Sequence, residues 1–214
     1  MTQHAASAGR RLVVSTLLVC TLGLSGCFGL AVTGAAVGTM AVLDRRSLGA
    51  QTEDQSIELR GLRELNQEIN TPGTGSISIT SFNRRVLLSG QTATEATRQK
   101  AEEVIRTRVP NIKDIYNEVE VIGTADFVTR SKDTGLTARV KTGLVRERNV
   151  SVNAIKVVTE RSTVYLMGLV THEEGERAAI ISSRVSGVTR VVTLFEYITK
   201  EELEKILGTD QKQR

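Results

Sequence analysis

The residue with the clearest chemistry is Cys27, which ends the sequence Leu24-Ser25-Gly26-Cys27. Arg10 and Arg11 precede an apolar run over residues 12–22, and small residues lead from that run into the cysteine. A basic start, a short apolar core and small residues at a cleavage point are typical of a secretory signal peptide. A cysteine directly after that point predicts a bacterial lipoprotein. Its thiol receives a diacylglyceryl thioether, the signal peptide is removed, and the new amino group is acylated.

Two alternatives remain for this segment: a plain signal peptide, and an uncleaved membrane helix in which Cys27 is a small buried residue. Residues 1–26 hold two of the 28 Lys and Arg and none of the 24 Asp and Glu, so cleavage lowers the formal charge from +4 to +2. This balance supports neither nucleic acid nor an acidic substrate as a partner. Cys20 is removed and Cys27 carries lipid, so one mature chain forms no disulfide.

Residues 28–43 are apolar, but only 16 residues are available and three glycines interrupt them. A membrane-spanning helix needs about 20 residues. The segment is therefore interpreted as a tether rich in small residues, and a short re-entrant or core segment is the alternative. Beyond it the composition is that of a globular protein whose core must be built from Val, Ile, Leu and Ala, since Trp is absent and aromatic residues make up 3%.

The globular part contains an internal repeat. Each copy has two strands joined by a short turn, which predicts a hairpin, and each second strand ends in a glycine, Gly90 or Gly168. The first hairpin comprises residues 77–81, the turn 83–84 and residues 86–90, and the second comprises residues 152–158, the turn 160–162 and residues 164–168.

Each hairpin is followed by a capping-box pattern, Thr92-x-x-Glu95 or Thr171-x-x-Glu174, which predicts that a helix begins there. Breakers at residues 109–111 and 186–187 end these helices, and final strands follow over 115–122 and 188–198. Apolar residues at helical spacing predict one further helix before each hairpin, over residues 53–69 and 132–147.

The order helix, strand, strand, helix, strand predicts an α+β fold in which each copy packs a three-stranded sheet on two helices (αββαβ). The eight-residue linker 123–130 places the two copies close together. The predicted organisation is a signal peptide (1–26), an acylated tether (27–52), a first domain (53–122), the linker (123–130), a second domain (131–199), and a C-terminal helix and tail (200–214).

These motifs resemble the BON domain of bacterial envelope proteins. The resemblance rests on V-x-L-x-G in both second strands, G-V-x-x-V at residues 187–191, and DRRSLGAQ at residues 44–51 after the lipoprotein cysteine. The first copy departs from the pattern, with Pro110-Asn111 in place of the glycine. Taken together, the motifs resemble the outer-membrane lipoproteins with two BON domains.

The resemblance implies a lipoprotein on the inner leaflet of the outer membrane that faces the periplasm, binds anionic phospholipid through its second BON domain and supports envelope integrity. It implies no cofactor and no small-molecule substrate. The charges agree with this choice of domain: residues 53–69 carry a net −3, whereas residues 130–148 carry +4. The predicted lipid-binding residues are Lys132, Leu136, Arg139, Val140, Lys141, Leu144 and Arg146.

The alternative function is a protein-interaction adaptor for envelope assembly or division proteins, which docks through sheet edges or the acidic helix 53–69. A solvated basic helix face is the plainer interpretation of residues 130–148. Catalysis has little support: His172 is the one histidine after the signal peptide, and no nucleophile, phosphate loop or metal-ligand set accompanies it. We therefore predict that the protein is not an enzyme.

Overall fold

A computed structural model describes residues 44–71, 74–122, 130–147 and 149–212. By its contacts the chain divides into Met1–Val42 and Leu43–Arg214. The signal peptide, Cys27, the segment 28–43 and most of the linker lie outside the described residues. The elements are α1 (Leu48–Glu68), β1 (Gly75–Phe82), β2 (Arg85–Thr92), α2 (Glu95–Arg108), β3 (Asp114–Asn117), β4 (Glu120–Val121), α3 (Arg130–Arg146), β5 (Ile155–Glu160), β6 (Thr163–Val170), α4 (His172–Ser183), β7 (Arg190–Tyr197) and α5 (Lys200–Lys212).

The elements from α1 to β4 form the N-domain, and those from α3 to β7 form the C-domain. In each sheet the second strand is central: β2 pairs antiparallel with β1 and parallel with β3 and β4, and β6 lies between β5 and β7 in the same way. The second helix of each domain makes the crossover that a parallel pair requires. The α+β class and the αββαβ order predicted from the sequence are confirmed.

The tight hairpin turns are stabilised by an aspartate from the preceding helix. The central turn residues have positive φ in both domains, at 51° and 66° for Asn83 and Arg84, as a two-residue hairpin turn requires. Asp54 of α1 accepts hydrogen bonds from the backbone N–H groups of both residues. Asp133 of α3 accepts from the backbone N–H groups of Arg161 and Ser162. Asp54, although it belongs to the acidic helix predicted over residues 53–69, is therefore buried in a structural role.

The glycine of V-x-L-x-G is required for a close approach between strands. A Cβ atom at Gly90 would collide with the carbonyl oxygen of Ser76, and one at Gly168 would lie against the carbonyl oxygen of Ala154. Gly90 also has a φ of 115°, which favours glycine. The repeated glycine thus lies where the backbone of the first strand comes unusually close to the backbone of the central strand.

Each central strand is buried on both faces. Val86 and Leu88 point into the N-domain core with α1 and α2, whereas Leu87 between them points to the other face. That face meets the C-domain in a cluster of its own, because Leu87 shares it with Tyr165 and Met167 of β6. The two sheets therefore pack against each other, with the helices of each domain outside.

Two arginines before α1 connect this interface to both domains. Arg45 makes a bidentate ion pair with Glu174 of α4, at 2.7 and 2.8 Å, and donates to the carbonyl oxygen of Leu169. Arg46 binds Asp54 in the N-domain and lies over the Phe82 ring, 4.1 Å from its centroid. Residues 44–52 are thus part of the fold, and the predicted tether 27–52 is too long at its C-terminal end.

Two further details differ from the sequence predictions, and two others agree with the repeat. Thr94, not Thr92, caps α2, because Thr92 is the last residue of β2. The strand predicted over 115–122 is divided into β3 and β4, both paired with β2. Asn111 adopts a φ of 67° after α2, so it fills the left-handed position that Gly187 fills in the C-domain. The capping box of Thr171 and Glu174 is confirmed.

We expect Leu87→Ala to lower the free energy of unfolding by about 2–5 kcal/mol, the usual cost of a cavity at a fully buried leucine. Leu87 is 0% exposed although its side chain lies in neither domain core. Urea denaturation of residues 44–214 measures the change, and Leu59→Ala, at a 68% exposed position, is the matched control. A loss below about 0.5 kcal/mol, the range of ordinary surface changes, would contradict the sheet-on-sheet packing.

We expect the contribution of Arg45 to stability to depend on pH. Burial opposes ionisation of Glu174, but hydrogen bonds from Arg45 and Thr171 outweigh it, so the pKa of Glu174 is lowered from its ordinary 4.5. A lowered pKa stabilises the fold above the unfolded value, and this stabilisation is lost as pH falls through the folded value. At pH 7, Arg45→Met should cost about 1–3 kcal/mol, because the part-buried Glu174 carboxylate then keeps only its hydrogen bonds from Thr171.

Urea denaturation of wild type and Arg45→Met, repeated from about pH 7 down to about pH 3, checks this expectation. The difference in unfolding free energy between the two proteins should shrink below pH 4.5. In a Glu174→Gln background the effect of Arg45→Met should no longer change with pH. A difference that stays constant in the Glu174 background would show that the ion pair does not carry the effect.

Candidate membrane-binding surface

Helix α3 begins the C-domain and packs one face on the sheet. Leu136, Val140 and Leu144 occur at intervals of four residues and are 2%, 0% and 0% exposed. Val140 and Leu144 belong to the C-domain core, together with Val164 and Leu166 of the central strand. These three residues were predicted to contact lipid, and the structure corrects that prediction, since a buried side chain reaches no membrane surface while the domain stays folded.

The four basic residues of the prediction lie outside the buried stripe. Lys132, Arg139, Lys141 and Arg146 are all exposed. Within the described part of the chain, none of them has a carboxylate at ion-pair distance. Asp133, the acidic residue at the start of the same helix, is turned inward to the hairpin. The outer face of α3 therefore presents uncompensated positive charge.

An open groove of about 420 Å³ runs beside this basic face. Arg139 and Arg146 flank it, seven residues or about 10 Å apart along the helix. Its floor is made by small or apolar groups of α3 and by Val185, which follows α4. Gly143 makes the close packing of the two helices possible, because a Cβ atom there would lie 3.2 Å from Ile181 Cγ2. The remaining lining residues are Ala138 and Thr142.

The equivalent helix of the N-domain has a different surface. Asp54 and Asp133 act on equivalent turns, so residue n of α1 corresponds to residue n + 79 of α3. Glu64 stands where α3 has Gly143, and it binds Arg108 of α2 at 3.0 Å. The charge of the N-domain helix is thus largely paired, and ion pairs bridge its two helices where the C-domain has a groove. The other paired acids of α1 are Glu53 with Arg84, Asp54 with Arg46, Glu58 with Lys156, and Glu68 with Arg108 and Lys100.

Sequence reasoning missed the floor of this groove. Val185 is 46 residues from Arg139 in the chain and joins it through the packing of two helices. The available signal was Gly143, since a glycine in a helix interior costs stability and calls for a packing reason.

His172 stacks on Tyr197, with ring centroids 4.1 Å apart. Among the described residues no group of three or more His, Cys, Asp and Glu could hold a metal ion.

Comparison with known proteins identifies the family. The BON domain model matches the chain twice, over residues 53–123 and 132–199, which is more than half of its length. The chain belongs to the BON-domain family. It is 31% identical over 185 residues to the outer membrane lipoprotein DolP of Haemophilus influenzae, covering 86% of this chain and 95% of that protein. A 21 kDa hemolysin of Actinobacillus pleuropneumoniae is 28% identical, with coverage of 73% and 80%.

Among solved structures, the C-terminal domain of CdsD, a structural protein of the type III secretion system of Chlamydia trachomatis, aligns with a TM-score of 0.27 and 13% identity. The alignment covers 68% of this chain and 67% of that one, and its score is too low to support a shared arrangement. The similarity to DolP and the two BON matches establish the class instead. This BON-domain protein is an outer-membrane lipoprotein, lipid-anchored and facing the periplasm. None of the helices in the described residues is long and apolar enough to cross a membrane.

Proposed function

We propose that this BON-domain lipoprotein is acylated at Cys27 and binds anionic phospholipid through the outer face of α3, and that it thereby supports the integrity of the cell envelope. The observation that carries the proposal is a set of four exposed cations on α3 that have no ion-pair partner among the described residues, two of which line an open groove. The relatives found are BON-domain proteins and not enzymes, and catalysis is no part of the proposal.

Electrostatics supports the choice of helix. A basic residue near an anionic bilayer contributes about 1 kcal/mol, and the contribution falls with salt. Lys132, Arg139, Lys141 and Arg146 together therefore account for about 4 kcal/mol at most. The aligned positions in α1 that differ most are Glu53, Leu62 and Gln67, which correspond to Lys132, Lys141 and Arg146. The positive face is therefore specific to the C-domain.

The groove beside α3 supports recognition of a lipid rather than of charge alone. A phosphodiester has a negative head and an apolar body, and the groove offers a guanidinium at either end with a largely apolar floor. Arginine suits this role because its planar group forms two parallel hydrogen bonds to phosphate oxygens. The site that we propose therefore comprises Lys132, Arg139, Lys141 and Arg146, with Val185 and Gly143 lining the groove.

The anchor allows this interaction to be weak. Sixteen residues separate Cys27 from Asp44, the first residue that the structure describes. An unstructured chain of that length has a root-mean-square span of roughly 20–24 Å. A domain held so close to the bilayer meets it at high effective concentration. Lipid binding by α3 then serves to orient the domain pair, while the acyl chains hold it.

We expect Arg139→Glu, Lys141→Glu and Arg146→Glu together to lower the affinity of residues 44–214 for phosphatidylglycerol vesicles about a hundredfold or more, because three attractive charges become repulsive. Vesicle co-sedimentation at low and physiological salt measures the loss. The matched control reverses Arg60, Arg63 and Arg106, exposed residues of the N-domain, and so changes the net charge equally. Equal losses of affinity in both variants would show that only net charge matters. Undiminished binding by the Arg139, Lys141 and Arg146 variant would refute the proposed site.

We expect Cys27→Ala to abolish incorporation of radiolabelled palmitate and to leave the uncleaved precursor, which no longer sediments with the outer membrane. The reason is that acylation and cleavage both require the thiol at this position. Cys20→Ala is the matched control, because Cys20 lies in the apolar part of the signal peptide. Sucrose-gradient fractionation and labelling check both variants. Palmitate labelling that survives in Cys27→Ala would place the anchor elsewhere.

A further inference from the structure

On the outer edge of the N-domain sheet, side chains hydrogen-bond to the backbone at two points and leave an open point between them. Strand β1 is an edge strand, and alternate residues of such a strand direct their N–H and C=O groups away from the sheet. The side chain of Asn70 pairs with both the N–H and the C=O group of Ile77, at 2.8 and 2.9 Å. Glu58 accepts from the N–H group of Ser81. Between them, the edge-facing N–H and C=O groups of Ile79 have no partner among the described residues.

This open point lies in an apolar groove between α1 and β1, which we call the α1–β1 groove. The groove has a volume of about 500 Å³, and Leu59 and Leu62 line it although they are 68% and 45% exposed. Gly61 brings β1 close under the helix, since a Cβ atom there would collide with the Ile79 side chain. The other lining residues are Gln55, Glu58, Ser78 and Ile79.

The C-domain lacks this apolar surface at the equivalent place. Leu59 and Leu62 of α1 correspond to Ala138 and Lys141 of α3. The α3 positions therefore carry a small residue and a charge where the N-domain exposes two large apolar side chains. Exposed apolar side chains next to a sheet edge are a feature that proteins normally avoid. Their presence in only one of two repeated domains indicates a binding role that the other domain does not share.

We propose that the α1–β1 groove binds a short extended segment of another protein, in which one apolar residue is flanked by uncharged polar residues. The backbone of that central residue pairs with Ile79, as strands add to an open sheet edge. Its side chain then lies on the same face as the Ile79 side chain, against Leu59 and Leu62. Asn70 and Glu58 limit the contact to about three residues, because they already occupy the edge at Ile77 and Ser81.

The lining of the groove favours a peptide over a lipid. Hydrocarbon chains offer no donor or acceptor for the N–H and C=O groups of Ile79, and leaving such groups buried and unpaired is costly. The Glu58 carboxylate borders the groove and would repel an anionic headgroup. Lys156, a cation beside the groove, is held by Glu58 at 2.6 Å and by the carbonyl oxygen of Ser81 at 3.2 Å.

The test uses the full-length lipoprotein in phosphatidylcholine nanodiscs, with Ile and Leu methyl groups labelled for NMR. The probe is acetyl-Thr-Thr-Leu-Thr-Thr-amide. We expect saturable shifts of the Ile79, Leu59 and Leu62 methyl signals and none at Leu48, which is exposed on the same helix outside the groove. A probe with N-methylated leucine should bind about tenfold more weakly, because it loses the N–H donor and cannot approach the edge.

Two protein variants complete the test. Leu59→Ala with Leu62→Lys gives α1 the residues of α3 and should weaken probe binding about tenfold, whereas Leu48→Ser should leave it unchanged. The first variant should still bind phosphatidylglycerol vesicles, and the Arg139, Lys141 and Arg146 reversal should still bind the probe, so this proposal and the lipid proposal fail separately. No shift at Ile79, equal binding of the N-methylated probe, or broadening of the Leu59 and Leu62 signals by spin-labelled phosphatidylcholine would overturn it.

Discussion

The two central strands, β2 and β6, are buried on both faces, and the rest of the structure depends on that constraint. A single αββαβ unit covers one face of its sheet with two helices and leaves the other apolar. In this chain Leu87 is fully buried and Tyr165 and Met167 nearly so, because the open faces cover each other. Each domain is small, and the shared cluster supplies burial that one domain of this size lacks.

Sheet-on-sheet packing also decides which surfaces are free. The inner faces of the two sheets cover each other, so the helices form the outside of the pair. The surfaces left to bind a partner are those of the helices, strand edges and loops. Polar contacts fix the relative position of the domains: Lys156 binds Glu58, Arg190 binds Glu118, and Arg45 binds Glu174. Because Arg45 precedes α1 directly, the same packing fixes where the described part of the chain begins.

The two BON domains have the same framework and different outer surfaces. Asp54 and Asp133 stabilise equivalent turns, and Gly90 and Gly168 allow equivalent close approaches between the first and second strands. The exposed helix positions have diverged instead, from Leu62 to Lys141. Framework positions are held by packing and hydrogen bonds, whereas exposed positions are free to acquire a partner. The proposed division, a lipid surface on one domain and a peptide groove on the other, follows this difference.

The sequence alone determined the elements, their order and the family, because strand alternation, helix periodicity, turn residues and glycines act over a few residues. It also supplied the basic residues of α3, since charge is read directly from composition. Tertiary structure decided which side of α3 faces out: Leu136, Val140 and Leu144 belong to the core, although their spacing also suits a membrane face. It decided as well that Asp54 is buried, that Val185 joins Arg139 at a groove, and that the sheets pair. Each of these depends on contacts between residues far apart in the chain, which local pattern does not encode.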